Sequence, residues 1–252
     1  MEPEMIMTLV LALLFGVVIG SFLNVCIYRI PKKETIVTER SHCMKCGYTL
    51  SWYDMIPVFS WLALGGKCRK CKTKLSPQYP LVEAANGILY VVVFAVCGIR
   101  VESILFCLLV SALLVLSVID FRTFEIPFGI NVFIFCLGVI RVVLDYSHWY
   151  TYLIGLLAVS VPLELILLLS KGRAIGGGDV KLMGAAGLLL GWKCIVLAFL
   201  IGCIAGSVLH LLRMKIAKAD RVLAMGPYLA LGILLSALWG EAWIQAYFNT
   251  FL

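Results

Sequence analysis

Uninterrupted apolar runs of eighteen or more residues constrain this chain more than any other feature. A helix of that length matches the hydrocarbon thickness of a bilayer. Within lipid every backbone N–H and C=O group must be paired inside the protein, so only helices and closed barrels cross it. The runs are continuous and do not alternate with a period of two, which argues against a barrel. The sequence therefore predicts an all-α, polytopic membrane helix bundle.

Composition agrees with a lipid environment, because 62% of the residues are hydrophobic and only 14% are charged, whereas soluble domains carry about a quarter charged residues. The short apolar segment 179–192 is predicted to be either an eighth span or a re-entrant piece. No basic n-region precedes the first span, so we expect it to be retained as an anchor. Seven segments are predicted to span the membrane: 5–29, 81–99, 103–120, 128–144, 150–170, 193–214 and 225–247.

The basic residues predict the orientation of the bundle. If the N-terminus is outside and eight segments cross, 18 of the 21 Lys and Arg residues fall inside, as the positive-inside rule requires. These basic residues set the orientation and lie beside anionic lipid headgroups, so the net charge of +7 needs no nucleic-acid partner to explain it. The predicted inside segments are 29–80, 121–127, 171–181 and 213–221.

The polar stretch 31–80 contains two CxxC pairs, which predict a metal site. Two such turns place four thiolates around one ion, as in a structural zinc site. Because disulfides rarely persist in the cytoplasm, we favour Zn²⁺ over two disulfides. A zinc ribbon that binds nucleic acid is the alternative, but topology already accounts for the basic residues here. The predicted ligands are Cys43, Cys46, Cys68 and Cys71.

This stretch also suggests the domain organisation. We predict a first transmembrane helix over 1–30, a cytoplasmic zinc-binding loop domain over 31–80 and a membrane-embedded bundle over 81–252.

Two aspartates at the ends of apolar segments are candidate catalytic residues. Asp120 follows the apolar run 111–119, and Asp179 precedes the apolar run 182–190. A charge within a span costs about 2.5–3.5 kcal/mol, so such a residue is a functional candidate. In the predicted topology both lie at cytoplasmic ends, at one depth. For Asp179, a role as the cap of a helix N-terminus is as good an explanation as a catalytic role. For Asp120, capping is a poor explanation, because the helix dipole opposes a carboxylate at the C-terminal end of a helix.

Gly176, Gly177 and Gly178 come directly before Asp179. Their lack of side chains would let an extended peptide substrate lie close to the backbone, and a flexible loop between helices is the alternative. The sequence contains neither an HExxH zinc-protease motif nor a GxSxG nucleophile elbow. A pair of carboxylates is therefore the remaining candidate for hydrolytic chemistry.

Over residues 16–235 the chain resembles the type IV prepilin peptidases of bacteria, which are GxGD-type aspartic proteases. One position departs from the family pattern, since members often have an acidic or amide residue where this chain has Phe128. The motifs that carry the resemblance are 20–31, 43–83 with its two CxxC pairs, Asp120 with Thr123 and 126–127, 176–182, and 226–230.

The resemblance implies a function and a location. It implies that Asp120 and Asp179 cleave the basic leader from prepilin or pseudopilin precursors at the cytoplasmic face of the bacterial inner membrane. Many members also methylate the new N-terminus with S-adenosylmethionine, and no motif in this sequence locates that second site. The expected partners are these precursors and membrane lipid, with no nucleic acid.

A proton-coupled transporter is the main alternative from another functional class. Intramembrane aspartates can form a proton relay, and glycine-rich breaks mark transporter substrate sites. The four-cysteine loop and the lack of an internal sequence repeat argue against it.

Overall fold

The computed structural model describes residues 3–37, 40–217 and 223–251, and within these residues no strand forms. Part of the fourth predicted inside segment, residues 218–221, lies outside the described residues. The helices are α1 Pro3–Arg29, α2 Phe59–Ala63, α3 Gln78–Cys97, α4 Val101–Thr123, α5 Phe128–Leu144, α6 Trp149–Ala158, α7 Ser160–Leu169, α8 Gly177–Leu190, α9 Trp192–Ala217 and α10 Gly226–Phe251.

Six segments of the described chain are long and apolar enough to cross a membrane. They correspond to α1, α3, α4, the α6–α7 pair, α9 and α10. The apolar helix α5 has 17 residues and α8 has 14, so both are shorter than a typical span. The prediction of an all-α membrane bundle is confirmed, with six long segments and two short helices.

The chain forms two compact units, residues 1–115 and 116–252. The first unit contains α1 to α3 and most of α4, and the second contains the end of α4 and the remaining helices. The boundaries at residues 30 and 80 stay predictions.

In the first unit, α1 and α3 pack closely because glycines line the crossing. A Cβ atom on Gly16 would lie 2.8 Å from the Cα of Gly87, and one on Gly20 would lie 2.6 Å from the Cα of Glu83. The spacing of Gly16 and Gly20 is that of the small-residue motif of membrane helix pairs. The side chain of Asn86 also donates a hydrogen bond to the carbonyl of Gly16 at 2.7 Å. This crossing holds the C-terminal end of α1 beside the start of α3.

In the second unit, the short helix α8 packs against α5, α6, α7, α9 and α10. Nearly all of its residues from Val180 to Leu189 are buried. Gly187 touches the backbone of Gly155 on α6, so its lack of a side chain lets the two helices pack closely. Helix α8 is therefore an interior element of its unit, and Asp179 lies in its first turn.

The predicted span 150–170 is interrupted at Val159, which separates α6 from α7. Pro162 has no N–H group and cannot donate to the carbonyl of Ala158, four residues earlier. The break is therefore a local consequence of proline within an otherwise apolar segment.

Candidate functional site

Asp120 lies near the C-terminal end of α4 and is buried, with 4% of its surface exposed. The backbone N–H of Gly226 donates a hydrogen bond to its Oδ2 at 2.9 Å. Gly226 is the first residue of α10, where the helix dipole is positive and backbone donors are free. The N-terminus of α10 thus compensates the unfavourable dipole of α4 at this carboxylate.

Asp179 lies in the first turn of α8, close enough to Asp120 for the two carboxylates to interact electrostatically. Both residues belong to the second unit. The structure therefore places the two predicted catalytic residues, which are 59 positions apart in sequence, on two helices within reach of each other's charge. Two carboxylates whose charges interact resist being ionised together, so the protonation of one depends on that of the other.

The three predicted glycines differ in what surrounds them. A Cβ atom on Gly178 would lie 2.9 Å from the Cβ of Ile126, so this glycine permits close packing against the segment that follows α4. A Cβ on Gly177 would meet only Leu167, at 3.9 Å, and one on Gly176 would lie 3.1 Å from Oδ2 of Asp179. Gly178 thus has an internal packing role, while Gly177 leaves the backbone beside Asp179 uncrowded.

In the first unit, the four predicted metal ligands form one cluster. The sulfur atoms of Cys43, Cys46, Cys68 and Cys71 all lie within 4.8 Å of one another, and all ten cysteines of the chain are free thiols. Four sulfurs bound to one zinc ion at about 2.3 Å stand roughly 3.8 Å apart. The Sγ atoms of Cys43 and Cys71 are 3.8 Å apart, so the donor set fits a tetrahedral Zn²⁺ ion.

The two CxxC turns have the same backbone construction. The N–H of Cys43 donates to the carbonyl of Tyr48 at 2.8 Å, and the N–H of Cys68 donates to that of Thr73 at 2.8 Å. Each turn is closed by a residue with positive φ, Gly47 at 66° and Lys72 at 56°. The repeated turn presents two pairs of thiols to a common centre.

Hydrogen bonds favour the metal-binding form of two of these thiols. The side chain and backbone of Thr73 lower the pKa of Cys71 to about 6. Backbone N–H groups of Cys46 and Lys45 lower the pKa of Cys43. Since the thiolate is the metal ligand, these contacts favour the metal-binding form of Cys43 and Cys71. At Cys46 a backbone hydrogen bond at Tyr48 lowers the pKa, but desolvation and the other three thiols outweigh it and raise the pKa to about 11.

An ion pair inside the loop supports the second turn. Nε of Arg69 lies 2.6 Å from Oδ1 of Asp54, whose side chain is almost fully buried. Burial by itself would raise the pKa of Asp54, but hydrogen bonds from Arg69, Ser51 and Tyr48 together lower it. The buried carboxylate is thus fully paired, as a buried charge must be.

Comparisons with known proteins place these features in a family. Residues 14–97 match the bacterial Peptidase A24 N-terminal domain, and residues 107–211 match the type IV leader peptidase family. A protein of Pseudomonas putida named prepilin leader peptidase/N-methyltransferase is 32% identical, over 96% of this chain and 93% of the relative. The chain belongs to the type IV leader peptidase family.

Further relatives support this membership. The protein of the same name from Bacillus subtilis (strain 168) is 32% identical over 93% of this chain and 95% of its own length. The one from Pseudomonas aeruginosa is 29% identical over 93% and 91%. No solved structure is significantly similar to this chain. The comparisons give no support to a transporter.

Phe128 contacts the helix that carries Asp179. Phe128, the first residue of α5, is 66% exposed. Nζ of Lys181 on α8 lies 5.3 Å from the centroid of its ring, within the range of a cation–π contact. The aromatic ring of Phe128 thus contacts the ammonium group of Lys181 near the start of α8.

Two residues beside the aspartates were missed by sequence reasoning. Gly226 was noted only as part of a motif, although it donates the hydrogen bond that Asp120 accepts. Asn131 on α5 is 4% exposed and donates to the carbonyl of Gly178 at 3.3 Å, and its Oδ1 has no partner in the described part of the chain. A lone asparagine within the apolar run 128–144 was the available signal, because a polar group in a span is costly.

Proposed function

We propose that this protein removes the leader peptide from type IV prepilin or pseudopilin precursors by aspartic peptidase chemistry. The observation that carries the proposal is that Asp120 and Asp179 lie near enough for their charges to interact, in a chain that belongs to the type IV leader peptidase family. The hydrogen bond from Gly226 to Asp120 supports it, because it fixes one carboxylate at a helix N-terminus.

The chemistry assigned to the pair is general acid–base hydrolysis. The ionised carboxylate takes a proton from a water molecule, whose oxygen attacks the carbonyl carbon of the scissile peptide bond. The neutral carboxylic acid donates its proton to the carbonyl oxygen. When the tetrahedral intermediate collapses, the C–N bond breaks and the new amino terminus leaves with a proton. Gly176, Gly177 and Gly178 are proposed as the place where the extended substrate approaches.

The location proposed for this reaction is the cytoplasmic face of the bacterial inner membrane, with the N-terminus of the enzyme outside. The uneven distribution of Lys and Arg supports this orientation. A basic leader would be held on the same side, because moving a charge outward against the membrane potential costs about 2.3 kcal/mol per 100 mV.

Two further components are proposed. The four cysteines hold a structural Zn²⁺ ion, which would tie the two CxxC turns together and stabilise the loop. S-adenosylmethionine is the methyl donor for a second reaction at the new amino terminus. This second activity is proposed because the relatives' names include N-methyltransferase.

Co-expression with a candidate prepilin tests both activities through the intact mass of the product. The expected product lacks the leader and is one methyl group heavier than the cleaved chain. A cleaved but unmethylated product would support the peptidase alone. A precursor of unchanged mass, in cells where the enzyme is inserted at normal levels, would contradict the proposed function.

A further inference from the structure

The loop between α1 and α3 carries a group of exposed apolar side chains within residues 52–63, the apolar segment. The segment consists of a 3₁₀ turn, Trp52–Met55, and the helix α2, Phe59–Ala63. A contiguous apolar group on a protein surface marks an interaction site more often than a packing defect. Its exposed large side chains are Trp52, at 75%, Phe59, at 72%, Tyr53, Met55, Ile56 and Leu62.

The folded loop holds the apolar segment in this exposed position. The carboxylate of Asp54 is buried, where it accepts a hydrogen bond from the hydroxyl of Tyr48 at 3.1 Å and pairs with Arg69 at 2.6 Å. The guanidinium carbon of Arg69 also lies 4.9 Å from the centroid of the Tyr53 ring. One side of the turn is therefore polar and paired with the CxxC part of the loop, while the other side is apolar and exposed.

A hydrogen bond fixes the level of the apolar segment beside the spans α1 and α3. The backbone N–H of Val58 donates to Oε2 of Glu83 at 2.6 Å, and Glu83 lies in the second turn of α3. The 20 residues of α3 extend about 30 Å, which equals the thickness of the hydrocarbon core. The second turn of such a helix lies near the boundary between hydrocarbon and headgroups, so the apolar segment lies there too.

The end of α1 shows that the loop folds back toward this level. A Cβ atom on Gly20 would lie 2.6 Å from the Cα of Glu83, and α1 continues for nine more positions to Arg29, about 14 Å along its axis. Near the level of Glu83 both spans also have exposed apolar side chains, Phe22 on α1 at 49% and Leu81 on α3 at 65%. The apolar segment thus lies level with the lipid-facing surface of the two spans.

The chemistry of the loop matches the surface of a bilayer. Trp and Tyr side chains concentrate at membrane interfaces, where one part of the ring is in apolar and the other in polar surroundings. Residues 31–80 contain nine Lys and Arg against three Asp and Glu, and clustered basic side chains attract anionic headgroups. The exposed basic residues around the second CxxC turn are Lys67, Arg69, Lys70, Lys72 and Lys74.

We propose that the apolar segment inserts into the headgroup region of the bilayer and docks the four-cysteine loop on the membrane surface. The partner is phospholipid with anionic headgroups. Trp52, Tyr53 and Phe59 enter the boundary with the hydrocarbon, as the apolar face of an interfacial helix does, and the lysines around the second CxxC turn contact the phosphates. In the orientation proposed above this is the cytoplasmic leaflet. The inference rests on α1, α3 and the loop alone and does not depend on the peptidase activity.

Photo-crosslinking of the full chain in nanodiscs of phosphatidylglycerol and phosphatidylcholine tests the docking. The photoreactive residue p-benzoylphenylalanine is placed at Phe59 and, as the matched control, at Thr49, an exposed residue of the same loop outside the apolar segment. We expect lipid adducts at Phe59 and a loss of those adducts at Thr49. Equal lipid labelling at the two positions, or none at Phe59, would overturn the proposal. Cross-links from Phe59 to a second copy or to an added prepilin, in place of lipid, would also overturn it.

The charge of the loop is tested in the same nanodiscs. Adducts at Phe59 should contain more phosphatidylglycerol than phosphatidylcholine. The double substitution Lys70→Gln with Lys74→Gln, at two exposed positions, should abolish that excess and leave adduct formation in place. An unchanged excess would contradict the contact between these lysines and the headgroups.

Tryptophan fluorescence checks the position of the apolar segment without a photoreactive residue. The difference in emission between the wild type and Trp52→Phe reports on Trp52, whose exposure makes the substitution mild. This emission should be quenched by phospholipids brominated near the headgroup and be shielded from iodide in the water. Quenching by iodide without quenching by the brominated lipids would place Trp52 in water and refute the docking.

Discussion

Asp120 occupies a position where its own helix disfavours a negative charge, and a second helix corrects this. The carboxylate near the C-terminal end of α4 accepts a hydrogen bond from Gly226 at the N-terminus of α10. Any side chain at position 226 would crowd the carboxylate, since a Cβ atom there would lie 2.7 Å from Oδ2. The placement of Asp120 therefore depends on a glycine that is 106 positions away.

Replacing Gly226 by alanine tests this dependence at the residue scale. Gly226→Ala should lower kcat for leader removal roughly ten- to a hundredfold, because a displaced catalytic group loses its productive geometry. The rate of cleavage by purified enzyme gives the result. Gly129→Ala is the matched control, since a Cβ atom at Gly129 meets nothing within 4 Å, and it should keep near-normal activity. Similar rates for both variants would show that Gly226 does not position Asp120.

The sequence predicted the aspartates better than their surroundings. A carboxylate at the edge of an apolar run is visible as a pattern, because its cost in lipid demands a reason. The hydrogen bond from Gly226 and the contact between Gly178 and Ile126 depend on how distant helices pack. Such contacts have no local signature. Asn131 had one, as a polar residue in an apolar helix, but its partner could not be named from the sequence.

At the scale of elements, the CxxC turns were predictable because the thiol spacing and the chemistry of zinc determine them together. The second turn was less obvious, since Lys72 occupies the left-handed conformation that Gly47 takes in the first.

Whether helix α8 crosses the membrane could not be decided from the sequence, for a physical reason. Its 14 residues extend about 21 Å at 1.5 Å per residue, less than the hydrocarbon core, and small apolar residues suit either a short crossing or a buried helix.

The metal prediction belongs to the loop as an element. Purified protein should contain about one zinc ion per chain, and the double substitution Cys43→Ser with Cys46→Ser should release it and loosen residues 31–80. Zinc content and protease sensitivity measure the two effects. Peptidase activity should fall less than it does in either aspartate variant.

A single thiol outside the cluster provides the control for this prediction. Cys136→Ser, at an exposed position on α5, should retain the zinc. A disulfide within either CxxC pair in cells, in protein without zinc, would contradict the metal assignment.

At the scale of the whole molecule, the predicted topology places the active site on one side of the membrane. Gly176→Cys and Thr123→Cys, made in a background without other reactive cysteines, should react with a membrane-impermeant thiol reagent only from the cytoplasm. Ser147→Cys, between α5 and α6, is the matched control and should react only from outside. Labelling of either active-site position from outside would refute the predicted topology.

The most direct test of the central claim is leader cleavage by purified Asp120→Asn and Asp179→Asn, each compared with the wild type. Both variants should insert normally and lose roughly a hundred- to ten-thousandfold in rate, because each carboxylate is required for proton transfer. Glu164→Gln, which alters an exposed carboxylate on α7, should cleave at a nearly normal rate. Near-wild-type cleavage by either aspartate variant would contradict the assignment of the catalytic pair.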